Sequence, residues 1–229
     1  MGNKNLIITI EREYGSGGRI VGRKLAEELG LHFYDDEILK MASEKSAVGE
    51  EFFRLADEKA GNNLFHRLAG AKKADVFGKP SLKGDVTSPD NLFKFQAMVM
   101  RELAEQEPCV FVGRAAGYVL DQDEEIENLV RIFVYADRVR RVQRVMEVDC
   151  ISEERAKKRI RKIENERKNY YKYFTGNDWK NMKNYDLQYD PPRTGRDGGA
   201  DQGICEVARV YEVGENENNL SVMQAKNFS

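Results

Sequence analysis

The feature that most constrains this chain is Ile7-Ile8-Thr9-Ile10, a β-branched run that breaks into Gly15-Ser16-Gly17-Gly18 and re-emerges with helical spacing over 20–29. β-Branched residues favour extended backbone, glycines permit the turn, and apolar residues three and four apart favour a helix. Strand, glycine loop and helix in that order aim backbone N–H groups and the positive end of a helix dipole at one spot. The segment is expected to cradle an anion such as phosphate, with Gly15, Ser16, Gly17, Gly18 and Arg19 around it. A glycine turn without a ligand is the plain alternative. The common phosphate-loop pattern Gly-x-x-x-x-Gly-Lys-Ser/Thr is met only in part: Glu13 stands at its first glycine, Arg19 at its lysine and Ile20 at its hydroxyl.

Along the helix 20–29, Ile20, Val21, Leu25 and Leu29 are expected on one face, with Gly30 as the stop. A short strand 31–34 ends in Asp35-Asp36, two carboxylates at a strand tip, one free to cap the next helix and the other to face a cleft. Residues 43–91 are polar and punctuated, which predicts helices with mobile connections inserted between strands. The stripe Phe95, Met98, Val99 and Leu103 marks a helix over 92–106 that packs on the sheet. The apolar strands 109–112 and 129–135 are joined by a short helical crossover, implying parallel pairing. Gly113-Arg114 follows the first of them, and an arginine at a buried strand tip is placed to reach an anion.

From 137 to 172 the chain is a long, charged helical stretch. Its glutamates balance its arginines, so much of it reads as a solvated face, and nucleic-acid binding through it is disfavoured. Arg161, Glu164 and Arg167 recur every three residues, where a carboxylate could hold two guanidiniums over phosphate. A last strand is expected at 185–189, a short helix at 204–211, and a disordered tail from about 214.

With 229 residues, 33% of them charged, and a formal net charge of −2, the composition suits one α/β domain over 1–213. No apolar run approaches the ~20 residues that span a bilayer, and with residues 1–4 leading straight into a strand no signal peptide is expected. Cys109, Cys150 and Cys205 are odd in number and lack metal-ligand spacing, so reduced thiols in a cytoplasmic protein are expected. Two histidines, His32 and His66, argue against a histidine-metal site.

In this order Arg12-Glu13-Tyr14-Gly15-Ser16-Gly17-Gly18, Phe33-Tyr34-Asp35, Val112-Gly113-Arg114-Ala115-Ala116, Arg167-x-x-Tyr170-Tyr171 with Trp179, and Asn184-Tyr185-Asp186-Leu187 resemble the cytidylate kinase-like family. That family is a divergent branch of the phosphate-loop nucleoside monophosphate kinases. The resemblance implies a three-layer α/β fold with a five-stranded parallel sheet in the order 2-3-1-4-5. It also implies a helical insertion near 40–95 and a lid near 150–176. It further implies ATP and Mg²⁺ as cofactors and a nucleoside monophosphate such as CMP, or a related small acceptor, as substrate. By position, Gly15 to Arg19 would hold the ATP phosphates with Arg141 and Arg144. Arg12, Arg19, Arg161 and Arg167 would carry charge during transfer, and Asp35, Gly113, Arg114 and Glu164 would lie on the acceptor side. Ala115 stands where established CMP kinases carry aspartate, and Arg161 and Arg167 are six apart instead of seven. Two functions remain open on these residues: a kinase, and a non-catalytic nucleotide-binding sensor or partner-binding module. The metal ligands and the oligomeric state are left open.

Overall fold

The apolar run near the N-terminus becomes β1 (Ile7–Arg12), buried over its first five residues and central in a parallel sheet. The computed structural model describes residues 5–61, 78–83 and 86–191. β1 pairs with β3 (Cys109–Val112) on one side, Ile7 opposite Cys109, and with β4 (Leu129–Val134) on the other, Ile7 opposite Leu129. β2 (His32–Tyr34) adds outside β3, and β5 (Leu187–Tyr189) outside β4. Among the described residues the sheet therefore has five parallel strands in the order β2-β3-β1-β4-β5, as the resemblance implied. β3 and β4 run parallel but do not pair with each other. β1 takes the place between them.

The pleat divides the core in two. Ile8, Ile10, Val110, Val112, Val130, Ile132 and Val134 point at α1 (Gly18–Leu29). Ile7, Phe111 and Phe133 point at the opposite layer. That layer is α2 (Glu37–Ser46), α3 (Glu50–Ala60), α4 (Pro89–Gln106), α5 (Ala116–Asp121) and the C-terminal part of α7 (Glu153–Thr175). Val21 and Leu25 bury their side chains as expected, but Ile20 is 55% exposed. Residues four apart stack on one helical face, whereas Ile20 lies about 100° round from Val21 and so leaves the sheet. Gly22 fills the contact instead, since a Cβ there would stand 2.9 Å from Ile10 Cδ1.

α4 carries the expected stripe, with Phe95, Val99 and Leu103 buried. Ser88 Oγ accepts the Asn91 N–H at 3.3 Å, and Pro89 opens the first turn, which together fix where the helix starts. The charged stretch is two helices, α6 (Arg138–Asp149) and α7, because Cys150 takes the left-handed backbone at φ 51 and turns the chain. Val142, Val145, Ala156 and Ile160 zip the pair together. The expected helix at 204–211, the tail, His66 and Cys205 lie outside the described residues. No helix among the described residues is long and apolar enough to cross a membrane.

Candidate active site

Parallel strands place their C-terminal ends on one edge, and Arg12, Asp35, Gly113 and Arg114 meet there. The glycine loop bridges β1 to α1 along the same edge. Gly15 and Gly17 adopt φ 82 and 91, a region open to glycine and strained for other residues. Ser16 is buried, its N–H donating to the Glu13 carbonyl at 3.2 Å and its Oγ accepting the Gly18 N–H at 3.4 Å. The N–H groups of Gly15, Gly17 and Arg19 donate to nothing among the described residues. A helix start with three unengaged amides is chemically suited to phosphate oxygens, so the residues present fit the phosphates of ATP.

Two arginines of α6 back this loop. Arg144 Nη1 donates to the Gly15 carbonyl at 3.0 Å, and a Cβ on Gly17 would stand 2.6 Å from the same nitrogen. Arg141 is buried. It pairs with Glu164, and its Nε lies 3.3 Å from Glu13 Oε2. Glu164 therefore holds Arg141 of the neighbouring helix, not Arg161 and Arg167 of its own. Arg161 is exposed and makes no hydrogen bond or ion pair among the described residues.

The loop's two candidate cations diverge. Arg19 Nε lies 2.6 Å from Asp35 Oδ2 in an ion pair, with its side chain 58% exposed. Arg12 is only 18% exposed, lies 3.9 Å from Asp35 Oδ1 and packs its guanidinium against Gly113. Arg167 Nη1 donates to the Arg12 carbonyl at 2.7 Å, while its guanidinium covers the Tyr14 ring at 5.6 Å. Arg167 has no ion pair among the described residues, and burial, reinforced by the charge of Arg12, pulls its pKa down to about 9.

Arg114 takes φ 57 and turns into the layer beneath the edge. Its Nη1 donates to Asp57 Oδ2 at 2.6 Å and to Gln96 Oε1 at 3.3 Å, and its Nη2 to Asp36 Oδ1 at 3.3 Å. Burial pushes the Asp57 carboxyl up from its ordinary value, against the pull of Arg114. Neither carboxylate of the Asp35-Asp36 pair caps α2. Asp36 occupies the cap position with helical backbone and no side-chain cap bond, because its carboxylate is drawn to Arg114 and that of Asp35 to Arg19.

Glu11 is buried at the end of β1, accepting the Ala115 N–H at 3.2 Å and the Trp179 Nε1–H at 3.0 Å. Lys180 reaches Glu13 Oε1 at 2.5 Å. No group of three acidic, histidine or cysteine side chains able to hold a metal lies together among the described residues. Ile20 offers no hydroxyl, and the carboxylates of Glu11 and Asp35 are engaged by Trp179 with Ala115 and by Arg19.

Arg12, Arg114 and Arg167 border a cavity of about 240 Å³ that Glu11, Asp57 and Tyr170 also line. Sequence reasoning placed the three arginines but missed Asp57 and Gln96. Asp57 carries no local signal on a polar helix. Gln96 did give one, as an amide inside the apolar stripe of α4.

A loop of unengaged amides at the central strand, ringed by arginines on a doubly covered parallel sheet, defines the class of nucleotide phosphotransfer folds. The chain belongs to the Cytidylate kinase-like family, whose model matches residues 7–190. It is 28% identical over 201 residues to a protein called cytidylate kinase in Methanopyrus kandleri, covering 84% of this chain and 88% of that one. A protein of the same description in Methanothrix thermoacetophila is 26% identical over 190 residues, covering 82% and 90%. An uncharacterised protein from Eubacterium ventriosum shares the fold, with TM-score 0.60 and 22% identity over 92% of this chain and all of that one.

Proposed function

We propose that the protein transfers the γ-phosphoryl group of ATP to a nucleoside monophosphate, with CMP the leading acceptor. The observation that carries this reading is the convergence of Arg12 and Arg167 beside the glycine loop, Arg167 donating to the Arg12 carbonyl, depressed in pKa by burial and the charge of Arg12, and without a carboxylate partner among the described residues. Such a pair is relieved by an anion, and phosphoryl transfer asks a protein chiefly to position two anions and neutralise charge. In this reading the amides of Gly15, Gly17 and Arg19 hold the ATP phosphates. Arg144 steadies the loop through the Gly15 carbonyl. Arg141, clamped between Glu13 and Glu164, presents its charge from α6. Arg12 and Arg167 bind the group in transit, with Arg12 taking the duty of the loop lysine because Arg19 is tied to Asp35. Asp35, Gly113 and Arg114 form the acceptor wall. Bound Mg²⁺ would supply charge neutralisation on the phosphates, resting mainly on phosphate and water oxygens.

A second reading is a nucleotide-binding module without chemistry, favoured by Ile20 at the hydroxyl position and by the engaged carboxylates of Glu11 and Asp35. Incubation with ATP, Mg²⁺ and a panel of nucleoside monophosphates, followed by ADP formation, separates the two. Turnover with one monophosphate and a loss of at least ~10-fold in Arg12→Ala supports the kinase and its substitute charge. ATP binding without transfer to any monophosphate supports the module.

A further inference from the structure

Tyr170 lies one helical turn beyond Arg167 on α7, its ring edge-on to Phe93 at 6.2 Å and to Phe174 at 4.8 Å. Its hydroxyl is buried and has no hydrogen-bond partner among the described residues. Buried hydroxyls are nearly always paired, and one left unpaired destabilises the fold. The residue borders the same cavity as Arg114, Asp57 and Arg167. The charged groups that act on the hydroxyl, Asp57, Arg114 and Glu11, are engaged elsewhere. Arg114 is engaged by Asp57, Gln96 and Asp36, and Glu11 by Trp179 and Ala115.

We propose that Tyr170 is a specificity-determining contact, donating its hydroxyl hydrogen to an oxygen or nitrogen lone pair of the bound acceptor. This rests on the kinase reading for the identity of the ligand. Residues three apart on a helix are offset by about 4.5 Å along its axis and share a face. Tyr170 lines the same cavity as Arg114 of the acceptor wall, so an acceptor seated there comes within reach of the hydroxyl. Burial, with the charges of Asp57 and Glu11 outweighing that of Arg114, holds the hydroxyl protonated far above neutrality, so the group acts as a donor. An acceptor without a lone pair at that place leaves the hydroxyl unpaired and is rejected.

Tyr170→Phe keeps the ring between Phe93 and Phe174 and removes the oxygen alone. The expected result has three parts: an unfolding midpoint in urea unchanged or raised, an unchanged ATP dissociation constant, and a KM for CMP raised at least ~10-fold with kcat within ~3-fold. A lowered midpoint shows that the hydroxyl serves the fold and overturns the proposal, as does an unchanged KM in an active enzyme. Should the parent transfer phosphate to no monophosphate, the kinase reading falls separately, and calorimetric titration with CMP decides. Affinity at least ~10-fold weaker in the variant supports the contact, whereas equal affinity or no binding to the parent overturns it.

Discussion

Arg114 is an ion-pair partner as well as a candidate ligand for the acceptor, and that double role sets a measurable stability. Its Nη1 sits 2.6 Å from Asp57 Oδ2, and the two side chains are 15% and 22% exposed. Removing one partner of a fully buried pair costs about 3–5 kcal/mol, because the other charge stays behind without compensation. Here some solvent reaches both groups, and Gln96 Nε2 still lies 3.3 Å from Asp57 Oδ1. The expected loss for Arg114→Ala is therefore about 2–3 kcal/mol, a fraction of a typical domain stability of about 5–15 kcal/mol, so the chain still folds. Asp57→Ala strands Arg114 in the same way, eased by Asp36. The double variant strands neither charge, and a cycle of the four proteins should return a coupling of about 1.5–3 kcal/mol. Urea unfolding followed by circular dichroism at neutral pH measures all four. A loss below ~1 kcal/mol for Arg114→Ala, or a coupling below ~0.5 kcal/mol, would refute the clamp.

Gly17→Val should abolish ATP binding by calorimetry while the far-ultraviolet spectrum is kept, since the new Cβ meets the Arg144 guanidinium on a backbone at φ 91; tight binding by the variant removes the loop from the site. Trp179→Phe should lower stability by about 1.5–3 kcal/mol, because the buried Glu11 carboxylate loses a donor at 3.0 Å, and a change under ~0.5 kcal/mol in chemical denaturation would contradict this. Alkylation at pH 8 should label exposed Cys150 and spare Cys109, whose thiol is pushed up to about 12 by burial. Peptide mapping reads both, and equal labelling of Cys109 in the folded protein would count against its burial.

The sheet was legible because its signals are local. β-Branched runs, the glycine break and the apolar strand at 109–112 each state their element within a few residues, and β1, β3 and β4 formed where those runs stand. The site was legible only where residues sit at strand tips. Arg12, Asp35 and Arg114 could be placed from sequence because parallel strands share an edge. Their partners could not, since Asp57 and Gln96 reach Arg114 from 57 and 18 residues away through helix packing. The spacing of Arg161, Glu164 and Arg167 misled for the same reason. Helical periodicity shows which residues share a face, but a neighbouring helix offered Arg141 as the nearer cation for Glu164.

The central place of β1 also sets a timetable for the nascent chain. Its neighbours begin at Cys109 and Leu129, so β1 has no partner strand to join until about a hundred further residues have been made. At about 5–20 residues per second that is a wait of roughly 5–25 s, during which Ile7-Ile8-Thr9-Ile10 is an unpaired, strongly β-forming segment. The loop that follows it cannot take shape sooner, because α6, which braces Gly15 through Arg144, is translated later still. A chain stalled or cut before residue 134 would expose an unfinished sheet edge along β1.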